Sequence, residues 1–402
     1  MKILHTSDWH LGRDFGTVSL HDDQKEFLAW LVGLVAQRGI ELVVIAGDLF
    51  DRAYAPADAI RLFREVSHEL LRTGAKVAAI TGNHDAHDRV ANYGGLLDGS
   101  GMFLRGGYEA IGEVITLTFG DGPLDLVLLP FLDPQSAPDG LGVDAEQSTD
   151  ITDVTDVVED AFARRVRRTH QSVLDDAVNA ALPKLTAPRS LAVAHAFVAG
   201  GEVSDSERQL VVGGTGTVSA AVFERFSYTA LGHLHRPQTI EGWPNIRYSG
   251  TPLAYSFSEQ HPKSVTIVDM APDGACTYQE VPVPTGRAVV TVEGRIDQLL
   301  AMQPSEAVRA SFVRAIITDP GVVLDAKQRL SAVFPNVVEI EMRPLGDDGK
   351  PLVSAIGLVD RKQQTPAEVA DQFWAESTGS PPTQRQRNLM HAAIQHVEEQ
   401  MA

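Results

Sequence analysis

Cysteine is almost absent from this chain, since Cys276 is the one cysteine in 402 residues. A single thiol excludes intramolecular disulfides and a thiolate-ligated metal cluster. Long apolar runs are missing too: no stretch of about 18 uninterrupted apolar residues occurs, so no membrane span is predicted. The N-terminal residues also lack the apolar core of a signal peptide. These absences predict a cytoplasmic protein without membrane contact.

Basic residues are scarce relative to acidic ones. The chain has 34 lysines and arginines against 53 aspartates and glutamates, and its formal net charge is −19. Such a charge repels polyanions at long range. Tight DNA binding is therefore disfavoured unless dications, a local basic strip or a basic partner subunit help, whereas phosphate chemistry is not excluded.

The N-terminal part alternates apolar strand-like runs with helical periodicity. Residues 2–7, 42–46 and 77–80 are predicted strands, and residues 22–37 and the segment after Pro56 have the apolar spacing of helices. Further strands are predicted at residues 124–129, 191–194, 228–231 and 264–268. This alternation is typical of a layered α/β domain whose sheet is flanked by helices.

The character of the sequence changes near residues 281–285. Short β-type runs around a helix-like segment, residues 321–334, predict a small α+β domain at 285–360 after a first domain at 1–284. Residues 361–402 contain two helix-start signals, Thr365-Pro366 with Glu368 and Thr383 with Gln386. The second of these helices carries an apolar stripe that is as typical of a partner-docking surface as of core packing.

Five short clusters of metal-type ligands follow predicted strands. They are Asp8-Trp9-His10, Gly47-Asp48 with Asp51, Gly82-Asn83-His84-Asp85, His195, and Gly232-His233-Leu234-His235. Aspartate, asparagine and histidine are side chains that bind divalent transition ions. Because the loops beyond strand carboxyl ends form the sites of open α/β sheets, the clusters are predicted to meet in one site.

Seven side chains of these clusters are the candidate ligands: Asp8, His10, Asp48, Asn83, His195, His233 and His235. They are too many for one tetrahedral zinc ion but suit two ions that share a carboxylate, for which Asp48 is the predicted bridge. Mixed imidazole and oxygen ligation favours manganese or iron, is compatible with zinc and disfavours calcium. Two ions roughly 3.5–4 Å apart polarise a phosphoryl oxygen and activate water, which predicts hydrolysis of a phosphoester.

The ordered set of clusters is similar to the five motifs of the calcineurin-like metallophosphoesterases, over about residues 1–270. Residues 1–12, 47–51, 231–237, 248–253 and 256–259 resemble, more closely, the SbcD-type nuclease subunits of that superfamily. The resemblance implies a layered sheet sandwich with flanking helices, a small α+β capping domain and a helical C-terminal tail.

The resemblance also implies roles for single residues. One manganese ion is implied at Asp8, His10, Asp48 and His235, and a second at Asp48, Asn83, His195 and His233. His84 is implied to stabilise or protonate the departing oxygen of the scissile phosphate. A histidine in that role needs an acceptor that orients its ring, and the candidates are Asp51 and Asp85.

The same resemblance implies partners. It predicts a manganese-dependent DNA exonuclease and hairpin or single-strand endonuclease, associated with the nucleoid and acting on DNA ends in repair and recombination. Residues 361–402 would dock on an SbcC-type coiled-coil ATPase, and a homodimer with contacts near residues 55–100 would form inside a heterotetramer. The alternatives are a metallophosphodiesterase for cyclic nucleotides or nucleotide sugars, which the acidic charge favours, and a non-catalytic scaffold, which would be expected to lack ligands.

Overall fold

The computed structural model describes residues 1–141, 168–204, 206–207, 216–345, 370–371, 374, 382–390 and 394. The chain forms two compact units, residues 1–316 with 324–341 and residues 317–323 with 342–402. The β-strands are β1 (Lys2–Thr6), β2 (Asp14–Phe15), β3 (Val18–Ser19), β4 (Leu42–Ala46), β5 (Lys76–Ile80), β6 (Met102–Arg105), β7 (Ile115–Phe119), β8 (Gly122–Leu129), β9 (Ser190–His195), β10 (Phe197–Val198), β11 (Thr217–Val218), β12 (Tyr228–Gly232), β13 (Gln238–Thr239), β14 (Ile246–Tyr248), β15 (Ser264–Met270), β16 (Cys276–Pro282), β17 (Val289–Gly294), β18 (Phe312–Ile317) and β19 (Val337–Met342). The α-helices of the first unit are α1 (His21–Arg38), α2 (Ala57–Arg72), α3 (His87–Val90), α4 (Gly94–Leu97), α5 (His170–Ala181), α6 (Ile296–Leu300), α7 (Glu306–Ala310) and α8 (Ala326–Ser331). None of the described helices combines the length and the apolar character that a bilayer crossing needs.

Two six-stranded sheets form the centre of the first unit. The first has the order β16-β15-β1-β4-β5-β6 and the second the order β13-β14-β12-β9-β8-β7. Strands β1, β4, β5 and β6 are parallel to one another, as are β8, β9, β12 and β14. Each sheet therefore presents several strand carboxyl ends at a single edge.

The sheets pack face to face, and helices cover their outer faces. Strands of both sheets contribute to one buried apolar cluster between them. Helices α1 and α2 pack on the first sheet, where Leu28 and Val43 share a cluster, and α5 packs on the second, where Val173 and Ala192 do so. The layered α/β prediction is confirmed, and covering on both faces explains why all five residues of β4 are apolar and buried.

The predicted helix boundaries are confirmed in one case and wrong in another. Helix α1 ends at Gly39, whose φ of 62° lies in the left-handed region that glycine adopts without a steric cost. The helix predicted at 321–334 is shorter, because Asp325 has a left-handed φ of 52° and α8 begins only at Ala326. Strands β17, β18 and β19 form a three-stranded sheet, close to the β-type runs that the sequence predicts at residues 288–292, 314–318 and 337–342.

The second unit contains one of the two predicted tail helices. Residues 384–390 are helical, and Gln386 Oε1 accepts a hydrogen bond from the Thr383 N–H at 2.9 Å, as the predicted capping pattern requires. The helix predicted from Thr365-Pro366 lies outside the described residues. The domain boundaries at 284 and 360 stay predictions.

Arg189 joins strands of both sheets, and its replacement by methionine is expected to destabilise the fold. The side chain is buried and donates to Asp121 Oδ1 at 2.5 Å and to the carbonyl oxygens of Pro123 and Met270 at 3.1 and 3.3 Å. Breaking a buried ion pair costs about 3–5 kcal/mol, and we expect the lower value because Asp121 is 33% exposed. Urea unfolding measures this change. The exposed Arg225→Met control should stay within about 0.5 kcal/mol, and an equal effect of both variants would contradict the expectation.

Candidate metal centre

The seven candidate ligands lie together at the edge where strands of both sheets end. Four follow strands of the first sheet, and three end or follow strands of the second: Asp8, His10, Asp48 and Asn83, then His195, His233 and His235. Three groups have ligand atoms within 4.8 Å of one another: Asp8 with His10 and His235, His10 with Asp48 and His84, and Asp8 with Asp48 and His195. The fold thus gathers side chains that are far apart in the sequence.

The carboxylate of Asp48 lies in the middle of the cluster. Its Oδ2 atom is 3.6 Å from His10 Nε2 and 3.6 Å from His195 Nε2. Its Oδ1 atom accepts a hydrogen bond from the His84 N–H at 2.9 Å. This carboxylate therefore faces ligands of both predicted ions, as a bridging ligand must.

Asn83 connects the second group of ligands. Its Oδ1 atom is 2.9 Å from His195 Nε2 and 3.2 Å from His233 Nδ1. His195 Nδ1 is 2.9 Å from the Ala46 carbonyl oxygen, which can only accept, so Nδ1 carries the ring proton. The lone pair of Nε2 in neutral His195 then points toward oxygen atoms of Asn83 and Asp48. Lone pairs that converge in this way fit a cation.

His10 gives a second test of whether the donor set fits metal ions. Both of its ring nitrogens are buried, and neither has a hydrogen-bond partner in the described part of the chain. Buried polar atoms nearly always have a partner, because an unpaired one costs free energy. A divalent ion beside His10 would supply that partner. The residues present therefore fit a bound metal ion.

Strained backbone is concentrated at the candidate ligands. Asp8, His10, Asp48 and His233 have left-handed φ angles of 53°, 43°, 47° and 106°, and Asp325 is the one other non-glycine residue of the described segments in this region. Each such residue costs roughly 1–3 kcal/mol and persists only where the surrounding structure enforces it. Strain at four clustered polar residues indicates a functional site.

Glycines allow the ligand loops to approach one another. A β-carbon at Gly82 would lie 2.1 Å from Asp48 Oδ1, and one at Gly232 would lie 1.7 Å from the Ala46 carbonyl oxygen. Both distances are far inside van der Waals contact, so a side chain at either position would separate the loops. This explains why glycine accompanies the ligands in the sequence clusters.

Burial sets the protonation of the site. Loss of solvation lowers the pKa of His10 and of His233 well below the ordinary value, so both rings are neutral near pH 7. Burial and then the Asp48 carboxylate raise the pKa of Asp8 well above its usual value. Burial acts in the same direction on Asp48, but electrostatic interactions with the adjacent imidazoles of His195, His10 and His84 outweigh it and lower the pKa of Asp48. Neighbouring buried carboxylates repel each other, and cations relieve that repulsion.

Comparison with known proteins identifies the family. A family model described as calcineurin-like phosphoesterase matches residues 1–237, and a model described as type 5 capsule protein repressor C-terminal domain matches residues 285–378. The SbcD subunit of the nuclease SbcCD from Bacillus subtilis is 36% identical over 299 residues, which cover 72% of this chain and 71% of that protein. The chain belongs to the SbcD family of calcineurin-like phosphoesterases.

Other SbcD proteins are similar over more of the chain. The SbcD subunit of the nuclease SbcCD from Staphylococcus epidermidis is 27% identical over 344 residues, 85% of this chain and 85% of that protein. The protein of the same name from Staphylococcus saprophyticus is 29% identical over 346 residues, 85% of this chain and 84% of that protein. SbcD membership and the clustered histidines and aspartates support a metal-binding nuclease subunit that hydrolyses phosphodiesters.

His84, to which the SbcD resemblance gives a catalytic role, is oriented by a main-chain atom. Its Nδ1 is 2.7 Å from the carbonyl oxygen of Asp51, so the acceptor comes from one of the two predicted residues but not from its carboxylate. The Asp51 carboxylate instead accepts from Arg13 Nη1 at 3.0 Å and lies 3.6 Å from His10 Nδ1. Asp51 therefore contacts both the implied proton donor and an implied ligand.

Asp85 holds two ligand loops of this SbcD family member together. Its carboxylate accepts hydrogen bonds from the N–H groups of Leu49, Phe50 and Gly82 at 3.0, 2.9 and 2.9 Å. Burial and the nearby Asp48 charge raise the pKa of Asp85 to about 7. Its contacts join the loop after β4 to the loop after β5. This structural role differs from the predicted one, which was to orient the ring of His84.

Two residues beside His235 were not assigned from the sequence. Ser206 Oγ is 2.6 Å from His235 Nδ1, and Glu259 Oε1 is 3.4 Å from the same atom. Burial raises the pKa of Glu259, but its His235 hydrogen bond and the Lys263 charge outweigh it and hold the pKa well below the usual range. Glu259 lies in a segment that resembles SbcD proteins, so its carboxyl group could have been assigned to the site from the sequence. Ser206 lies in no such motif and could not have been assigned.

Proposed function

We propose that this chain is the manganese-dependent DNA nuclease of an SbcCD-type complex, an exonuclease and a hairpin or single-strand endonuclease. The proposal rests on the position of Asp48 Oδ2, which lies 3.6 Å from His10 Nε2 in one ligand group and 3.6 Å from His195 Nε2 in the other. SbcD membership supports DNA as the substrate, because the relatives are named as nuclease subunits.

In this proposal the seven side chains form two ion sites that share one carboxylate. One ion is held by Asp8, His10, Asp48 and His235, and the other by Asp48, Asn83, His195 and His233. Bound ions supply polarisation of the phosphoryl oxygens and an activated water at neutral pH. Mixed imidazole and carboxylate ligation suits manganese.

His84 acts on the departing oxygen of the scissile phosphodiester. Its Nδ1–H donates to the Asp51 carbonyl oxygen at 2.7 Å, which orients the ring so that Nε2 lies 4.0 Å from Asp48 Oδ2. A proton held at Nε2 is then available to the leaving oxygen at the same place where the ligands converge. Arg13 keeps Asp51 in place through its 3.0 Å contact with the carboxylate.

The net charge of −19 disfavours tight DNA binding by this chain alone, and a basic partner subunit is one way to overcome the repulsion. An SbcC-type coiled-coil ATPase supplies a surface that binds DNA, and residues 361–402 dock on this ATPase. Exposed apolar side chains lie in the segment predicted for dimer contact, residues 55–100: Ile60, Tyr93 and Leu96. These side chains are the candidates for the contact of a homodimer within a heterotetramer, because exposed apolar groups that form one continuous patch mark protein interfaces.

Purification from the native host tests the proposal. We expect a coiled-coil ATPase to accompany the chain, a measured mass that corresponds to two copies of each protein, and manganese-dependent cleavage of duplex ends and hairpins. The same preparation is assayed on cyclic nucleotides and on bis-p-nitrophenyl phosphate. Faster turnover of cyclic nucleotides than of DNA would favour the phosphodiesterase alternative, and a preparation without an ATPase would contradict the proposed partner.

A further inference from the structure

Glu259 is a buried carboxylate beside the metal centre that the proposed reaction leaves without a role. Its side chain has no exposed surface. Its Oε2 atom accepts from Thr251 Oγ1 at 2.9 Å and pairs with Lys263, whose side chain is only 10% exposed. Replacing a buried ion pair by apolar residues is often neutral for stability, so the pair calls for an explanation other than stability.

The other oxygen of Glu259 faces His235 through a hydroxyl group. Oε1 accepts a hydrogen bond from Ser206 Oγ, and Ser206 Oγ is 2.6 Å from His235 Nδ1. A carboxylate can only accept, so the Ser206 proton points to Glu259 and the Ser206 oxygen accepts from His235 Nδ1–H. A chain of hydrogen bonds therefore runs from the imidazole to the buried anion.

This chain of hydrogen bonds fixes the tautomer of His235. With the proton on Nδ1, the lone pair of the His235 ring is on Nε2, and a ring nitrogen of His235 lies within 4.8 Å of ligand atoms of Asp8 and His10. The same segment also contacts the first ligand loop, since the Tyr255 hydroxyl donates to the Trp9 carbonyl oxygen at 2.6 Å. One segment thus positions the loop of His10 and the ring of His235 together.

We propose that Glu259, paired with Lys263 and acting through Ser206, is a positioning residue that sets the affinity of His235 for its metal ion. The inference rests on the proposed function, because it assigns a role at the same dimetal site. Removing a group that orients a metal-bound histidine typically lowers metal affinity or activity by about 10–100-fold.

Two variants test this role in the full chain. Ser206→Ala breaks the chain of hydrogen bonds and leaves the ion pair intact, whereas Glu259→Leu with Lys263→Met removes both charges and avoids an unpaired buried lysine. We expect the Kd for Mn²⁺, measured by calorimetry, to rise about 10- to 100-fold in each. Ser331→Ala, at an exposed serine of α8 whose hydroxyl donates to the Lys327 carbonyl oxygen at 2.7 Å, is the control.

A spectroscopic measurement separates positioning from a merely structural role. In protein with ¹⁵N-labelled histidine, the signals lost in His235→Asn identify His235. We expect an Nδ1–H tautomer in the metal-free wild type and a mixture of tautomers in Ser206→Ala.

The outcomes distinguish this inference from the proposed function. Wild-type Kd and an unchanged tautomer in the variants would overturn the role of Glu259 and leave the nuclease proposal standing. A wild-type chain that binds no Mn²⁺ overturns the dimetal proposal and this inference with it. If the double variant does not fold, Glu259→Gln takes its place, because Ser206→Ala leaves the direct 3.4 Å contact between Glu259 Oε1 and His235 Nδ1 intact.

Discussion

Asp48→Asn is expected to abolish the binding of paired divalent ions. Asparagine keeps an oxygen that can accept from the His84 N–H at 2.9 Å, so the local fold is retained while the charge shared by both ligand groups is lost. Groups that only support ligands already contribute about 10–100-fold to metal affinity, so the shared ligand should contribute more than about 100-fold. Because bound ions contribute several kcal/mol to the reaction, the rate should fall at least about a thousandfold.

Thermal unfolding in MnCl₂ measures this loss without an activity assay. An ion that binds the native state stabilises it by about 2.7 kcal/mol at about 100 times its Kd. We expect a manganese-dependent rise in Tm for the wild type and for Asp269→Asn, a control at an exposed carboxylate of β15. Asp48→Asn should show no rise. A variant that keeps both the rise and the rate would contradict the shared-ligand role.

His84→Ser is expected to slow DNA cleavage while metal binding persists. Serine removes the ring nitrogen that faces Asp48 Oδ2 at 4.0 Å but leaves the seven proposed ligands in place. General acid catalysis contributes about 10²–10⁴-fold, so kcat on DNA should fall by that factor. The manganese-dependent rise in Tm should stay as in the wild type.

A substrate with a good leaving group tests whether His84 donates a proton. The p-nitrophenolate of bis-p-nitrophenyl phosphate departs without protonation, so His84→Ser should lose much less activity on it than on DNA. His68→Asn, at an exposed position of α2, serves as the control. Equal losses of activity on both substrates would indicate that His84 stabilises charge on the phosphate and does not donate a proton. Undiminished DNA cleavage would show that His84 has no role in the reaction.

The clustering of the candidate ligands was predictable because it follows from local patterns. The apolar run of β4 and the periodicity of α1 indicate a layered α/β fold, and in such folds the loops after the strands share one edge. Once the polar clusters are assigned to those loops, their meeting is a consequence of the fold. The glycines beside the ligands add a local signal, since Gly82 and Gly232 stand where a side chain would collide.

The finer contacts could not be predicted, since they join segments whose distance in the sequence carries no pattern. Ser206 meets His235 29 residues later, and nothing around Ser206 distinguishes it from other serines. The acceptor for His84 is the main-chain oxygen of Asp51, and every residue has such an atom. The shortened helix α8 likewise depends on the backbone of Asp325, which no side-chain periodicity encodes.

The proposed ligands come from both sheets, and this origin has a mechanical consequence. Asn83 follows a strand of the first sheet and His195 ends a strand of the second, yet their side chains are 2.9 Å apart. Ions bound between such residues, as proposed, would tie the two sheets together at this edge, as a disulfide does in a chain with more than one cysteine. Separation of the two sheets would then require release of the ions. Chelation should therefore lower the stability of the fold and remove the activity in one step.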